Sequence, residues 1–90
     1  MIYIKEAFPH ENEVVIIAEG FLDYQSVQIL KDVCEPHLQG RKRIVLELSG
    51  LIHVSREGRE FLRELAKNSL IVLAGNTGEL WRSDLREEDK

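Results

Sequence analysis

The segment Val54-Ser55-Arg56-Glu57-Gly58 places a hydroxyl, a cation and a carboxylate in consecutive positions, just where an apolar run gives way to an amphipathic helix. A strand-to-helix junction of this kind gathers unpaired amides and the positive end of a helix dipole, and so favours anions and hydrogen-bond acceptors. Two uses suit it. The hydroxyl of Ser55 can be a nucleophile or a phosphorylation site, or the whole junction can be a fixed docking face. His53, two residues earlier, points to the same side of an extended chain as Ser55 and has the chemistry of a general base. No orienting carboxylate or oxyanion site accompanies that pair, so the chain is not expected to be an enzyme. His10, His37, His53 and the lone Cys34 lack the mutual spacing of metal ligands, and neither a metal nor a cofactor is expected.

The elements that position this junction follow from hydropathy. Ile2-Tyr3-Ile4 reads as a short first strand, closed by a turn over Phe8-Pro9-His10-Glu11-Asn12 in which Pro9 stops the strand. Glu13 to Glu19 is a second strand, apolar on both parities through Val14-Val15-Ile16-Ile17-Ala18, and so expected to be central or covered on both faces. Asp23 is an N-cap candidate for a helix over Tyr24 to His37, whose inward stripe is Val27, Leu30, Val33, Cys34 and Leu38. Pro36 loosens its last turn and Gly40 provides the exit.

Arg43 to Leu48 is a third strand ended by a Ser49-Gly50 break, and a second helix runs from about Glu57 to Lys67 with Phe61, Leu62 and Leu65 inward. Ile71 to Ala74 is the fourth strand. Gly75-Asn76-Thr77-Gly78 lacks the lysine and the spacing of a phosphate-binding loop and reads as a turn. Beyond it, residues 79–90 form a short helix around Leu80, Trp81 and Leu85 or a charge-dense frayed tail. Strands alternating with crossover helices imply a mixed or mostly parallel sheet with both long helices on one face.

Bulk properties narrow the partners. A net charge of −4 and a pI near 5.3 exclude the basic stripe that a nucleic-acid binder needs. Arg41-Lys42-Arg43 is the only basic run, and its plain role is to guard the apolar strand that follows against aggregation. One cysteine permits no intrachain disulfide, and Cys34 sits within a helical apolar stripe as a small buried hydrophobe. With 43% hydrophobic and 31% charged residues, the chain is built to fold as one domain over residues 1–90, with its core in about 2–75. Residues 1–6 have no signal-peptide profile, no apolar run approaches the length of a membrane span, and a cytoplasmic location is expected.

Several motifs in this order resemble the STAS domain, the family of bacterial anti-sigma factor antagonists and related modules. Gly20-Phe21-Leu22-Asp23 is similar to the family's Gly-x-Leu-Asp after the second strand, and Ile44-Val45-Leu46-Glu47-Leu48-Ser49-Gly50 to its apolar strand ending in Leu-Ser-Gly. The loop Val54 to Gly58 and the strand Leu70 to Gly75 follow at matching places, so the resemblance covers about residues 12–80. It implies a single STAS-like α/β domain with a mixed four-stranded sheet and helices mainly on one face.

In phosphorylation-switch members, the loop reads Asp-Ser-Ser/Thr-Gly at the start of the second helix, and a partner kinase modifies the first hydroxyl. Aligned through Gly58, the Asp position falls on Ser55, the acceptor on Arg56 and the next hydroxyl on Glu57. Arg56 has no hydroxyl, so the switch implied by the resemblance cannot operate there. Either Ser55 has taken over as the modified group, or the site is a fixed binding surface, the commoner fate of a serine ahead of a helix.

The resemblance thus implies a non-enzymatic protein-interaction module that meets an anti-sigma factor or a serine kinase-like regulator through Asp23, Ser55, Arg56 and Glu57. The alternative is a small-molecule or lipid-handling accessory subunit of a transporter system. Family members usually carry a further strand and helix past this point. Because the sequence stops at Lys90, a sheet edge or helix groove is left for self-association to cover, and a homodimer is a further expectation.

Overall fold

The computed structural model describes residues 1–75. Six elements follow one another: β1 (Ile2–His10), β2 (Glu13–Leu22), α1 (Tyr24–Gln39), β3 (Arg43–Val54), α2 (Arg56–Ala66) and β4 (Ile71–Ala74). The sheet order is β1-β2-β3-β4, with β1 and β2 antiparallel and the β2–β3 and β3–β4 pairs parallel. Both parallel connections carry a helix, as parallel pairing demands. The expected mixed sheet is thus present.

One face of the sheet is the core. Val14, Ile16, Ala18, Ile44, Leu46 and Leu48 alternate inward at 0% exposure, and they pack with Leu30 and Cys34 of α1 and Leu62 of α2 in one cluster. Both helices therefore lie on that face. His37 near the end of α1 also reaches Glu6 of β1, its Nε2 lying 2.6 Å from the carboxylate.

Two expectations about the strands need correction. The first strand does not end near Ile4, since β1 runs to His10 and its pairing with β2 slips only between Ala7 and His10. Pro9 stands in that irregular stretch of an edge strand, where a missing N–H costs no ladder bond. Ser49-Gly50 does not break the third strand either: β3 continues to Val54, and the register slip between Ile17/Glu19 and Glu47/Gly50 absorbs one residue as a bulge. The second strand is central, as its apolar run on both parities led us to expect, and among the described residues the helices cover one face of it. Its inward residues are buried, whereas Glu13, Val15 and Ile17 on the opposite face are only half-buried.

Helix α1 closes two residues later than expected. Lys42 N–H donates to the His37 carbonyl and Arg41 N–H to the Leu38 carbonyl, both at 3.0 Å, the paired bonds of a Schellman stop. The left-handed residue in that motif is Arg41, with φ 57°, and not Gly40, whose φ is −80°. The sequence Gly75-Asn76-Thr77-Gly78 continues past the described residues, and the segment with Leu80, Trp81 and Leu85 lies outside them.

Candidate functional site

The parallel pairing of β2 with β3 ends at Leu22 opposite Val54, so the chain leaves both strands at the same level. Asp23 follows the first and Ser55 the second. The Ser55 N–H donates to the Leu22 carbonyl at 2.9 Å, which joins the two junctions directly. The structure thus brings together the residues singled out from the sequence.

Each junction is built as a helix cap. Asp23 accepts from the Ser26 N–H at 3.0 Å and from the Ser26 hydroxyl at 2.9 Å, satisfying one of the unpaired amides of α1. The Ser26 amide bond, reinforced by its hydroxyl, holds the Asp23 carboxyl below the usual aspartate range. Ser55 Oγ accepts from the Gly58 N–H at 3.1 Å, and α2 starts there. Gly58 is required by a close approach: a Cβ at this position would stand 2.5 Å from the Leu22 carbonyl oxygen.

The remaining two residues face solvent. The Arg56 side chain is 80% exposed and lies 3.7 Å from Glu60 one turn on, a surface pair that contributes little to stability. Glu57 is exposed in the first turn of α2, where its charge suits the dipole, and it lines a groove of about 390 Å³ with Tyr24, Gln25, Val27 and Gln28 of α1. Behind them, Arg59 Nη1 donates to the Val54 carbonyl at 3.0 Å.

Sequence reasoning passed over the apolar part of this end. Tyr24 is 76% exposed, Ile52 75% and Phe21 42%. Phe21 and His53 are register partners whose rings lie 5.6 Å apart at 59°, so His53 is engaged with an aromatic ring while Ser55 is engaged with its cap. Tyr24 precedes the inward stripe of α1, and Ile52 lies where the β2–β3 register shifts between Gly20 and Phe21. The slip puts Leu51 and Val54 inward and leaves Ile52 out. A four-residue run with apolar residues on both parities was the only hint. Among the described residues, no three His, Cys, Asp or Glu side chains group as a metal site, and no helix is long and apolar enough to cross a membrane.

The architecture has counterparts among solved structures. The anti-sigma factor antagonist SpoIIAA in its unphosphorylated form superimposes with a TM-score of 0.65, at 15% identity, over 89% of this chain and 82% of that one. The fold is that of SpoIIAA. A protein of the DUF3478 family from Shewanella loihica PV-4, described as having a SpoIIAA-like fold, matches with a TM-score of 0.59 at 15% identity, over 83% of this chain and 66% of that one. No family model and no curated protein matches the sequence. At this identity the SpoIIAA likeness speaks for the arrangement of strands and helices, and the chemistry of the junction has to be read from its own side chains.

Proposed function

We propose that this chain is a protein-interaction module of the regulatory, anti-sigma-antagonist-like kind, working in the cytoplasm without catalysis. Its contact surface is the end of the sheet that carries Asp23, Ser55, Arg56 and Glu57. The observation that carries the reading is that Phe21, Tyr24 and Ile52 are all exposed at the end of the sheet where β2 and β3 lead into these polar residues. Large apolar side chains ringed by polar ones are the usual anatomy of a docking patch, and aromatic residues in its centre supply most of the binding energy. The SpoIIAA fold supports a partner of the anti-sigma factor or serine kinase-like class.

The surface works as a fixed one. Arg56 presents a permanent cation where a switch would need a hydroxyl, and the Ser55 oxygen serves the Gly58 amide. Affinity capture from the source organism's extract, with wild-type chain and with Tyr24→Ala and Ile52→Ala chains as bait, tests this. The expected result is a wild-type partner that both variants lose, together with an unmodified Ser55 by intact-mass measurement. A partner retained equally by all three baits would refute the placement of the surface, and a phosphate on Ser55 would refute its fixed character.

The groove between α1 and α2 keeps a second reading in play, that of an accessory subunit holding a small molecule or lipid. Its volume lies within the range of small-ligand sites. It is lined by Tyr24, Gln25, Val27, Gln28 and Glu57, and the surface these residues turn into it is mostly apolar.

A further inference from the structure

Strand β1 is an edge of the sheet: β2 pairs with one side of it, and among the described residues no strand pairs with the other. The ladder shows which backbone groups are left over. The Phe21 N–H donates to the Met1 carbonyl at 2.9 Å, and the antiparallel register continues unshifted from Ile2 opposite Gly20 to Ala7 opposite Val15. Hydrogen-bonded and open pairs alternate along such a ladder, so Tyr3, Lys5 and Ala7 turn their N–H and C=O groups toward β2. Ile2, Ile4 and Glu6 turn theirs outward. The side chains of Ile2 and Ile4 pack on the core but are only half-buried, and Tyr3 on the opposite face is 60% exposed.

The outward groups match a second copy of the same strand. A two-fold axis normal to the sheet at Ile4 pairs the free groups of Ile2 with those of Glu6, Ile4 with Ile4 and Glu6 with Ile2, and uses the whole regular strand from Met1 to Ala7. Moving the axis to Lys5 or Glu6 would oppose like charges and run into the irregular stretch beyond Ala7, and moving it to Tyr3 would shorten the ladder. In the Ile4 register, Tyr3 lies opposite Lys5 of the other copy, twice. Each lysine stem then covers an exposed ring, with Glu19, the register partner of that Tyr3, beyond it. The two lysines are diagonal neighbours, about 7–8 Å apart at the backbone, and diverge as they cross those rings. On the helix side Ile4 meets Ile4, and Ile2 meets Glu6, whose carboxylate lies 2.6 Å from His37 Nε2. Pro9, a usual guard of an edge strand, stands past this stretch and leaves it open. The longest register that β1 allows thus opposes no like charges, the self-complementarity that an isologous interface requires.

We propose that this chain forms a two-fold dimer by pairing β1 with β1 of a second copy, antiparallel about Ile4, so that the two sheets become one. The inference goes beyond the docking surface proposed above, none of whose residues lies on β1. Main-chain bonds at Ile2, Ile4 and Glu6 supply the affinity, and the Tyr3–Lys5 and Ile4–Ile4 contacts set the register. The shared ladder is roughly 20 Å long, a footprint well short of the ~800 Å² per partner of a standard interface. The dimer is therefore a weak, concentration-dependent one.

Sedimentation equilibrium of the full chain from micromolar to millimolar concentration should show a reversible monomer–dimer equilibrium. Amide hydrogen exchange followed by NMR over the same range reads the interface directly. The Ile4 and Glu6 amides, unpaired in the monomer, should gain about tenfold or more in protection as concentration rises, whereas those of Lys5 and Ala7, bonded to β2, should change far less. Tyr3→Lys opposes like charges twice and should weaken the dimer by about tenfold. Adding Lys5→Glu makes both contacts attractive and should restore it. Residues 3 and 5 are exposed, so both chains should keep the wild-type circular dichroism spectrum. If either fails to fold, the exchange pattern of wild type decides by itself. A wild type that stays monomeric throughout, as it would if this edge took another protein's strand, overturns the proposal. So does a dimer whose Ile4 and Glu6 amides stay unprotected, or one that a folded Tyr3→Lys chain leaves intact.

Discussion

Replacing Gly58 by Ala is the sharpest probe of how the two junctions are joined. The added methyl would meet the Leu22 carbonyl oxygen at 2.5 Å, Leu22 Cγ at 3.0 Å and Val54 Cγ1 at 3.1 Å. It cannot be accommodated by rotating one flexible side chain, because the nearest atom is backbone. That carbonyl also accepts the Ser55 N–H at 2.9 Å, so moving it strains the bond that ties β2 to the start of α2. Overpacking of this kind costs about 1–3 kcal/mol, and a weakened, partly buried backbone bond about 0.5–1.5 kcal/mol. The better helix propensity of Ala offsets about 1 kcal/mol.

The net expectation for Gly58→Ala is a loss of about 2 kcal/mol, or a drop in Tm of roughly 8–16 °C for a domain this size. Urea unfolding followed by circular dichroism measures it. Gly40→Ala is the control, since its nearest neighbours would stand at an ordinary 3.6 Å and its φ is negative. The control should fall within about 0.5 kcal/mol of wild type. A Gly58→Ala chain as stable as the control would refute the close approach of α2 to the end of β2, and with it the adjacency of Asp23 and Ser55.

Three further outcomes are expected. Arg41→Gly removes a non-glycine residue from the left-handed region at the end of α1 and should stabilise the chain by about 0.5–1 kcal/mol, visible as a higher Tm. Asp23 has a depressed carboxyl, so its contribution to folding is present above the unfolded aspartate value and lost as pH falls through the lower native one. The difference in urea midpoint between wild type and Asp23→Ala should therefore be full at neutral pH and shrink in strong acid, whereas that between wild type and Asp23→Ser, an uncharged cap, should show Ser gaining on wild type as pH falls. Burial, with a smaller push from Glu6, raises the Cys34 thiol to about 11. A thiol reagent should thus react at the rate of unfolding in mildly alkaline buffer, and a fast phase with native protein would contradict the burial.

What could be read from the sequence was what local chemistry fixes. Asp23 and Ser55 are caps because a short acceptor before an amphipathic stripe has few other uses, and both helices start where those residues say. The strand Ile71–Ala74 was bounded by its own composition. The errors came where pairing overrides local signals. Pro9 reads as a strand stop in isolation but is harmless on an edge, and Gly50 reads as a break but sits in a bulge because β2 continues beside it. The exposed Ile52 is a consequence of a second register slip, between Gly20 and Phe21, which no spacing rule foretells. Arg41 in the left-handed position was equally hidden, with Gly40 beside it as the obvious candidate.

Position 56 shows how far a shared fold constrains function and where it stops. The fold requires an acceptor at the start of α2, and Ser55 supplies it through the Gly58 amide, so residue 56 is free of any structural duty. Its side chain is 80% exposed and, among the described residues, pairs with Glu60 on its own helix. A phosphoryl group at such a place would add nearly two negative charges to a helix N-terminus, a change large enough to gate a partner. Arginine puts a charge of the opposite sign there and offers no hydroxyl to phosphorylate. On the proposed reading, regulation must then come from elsewhere, from the supply of the partner.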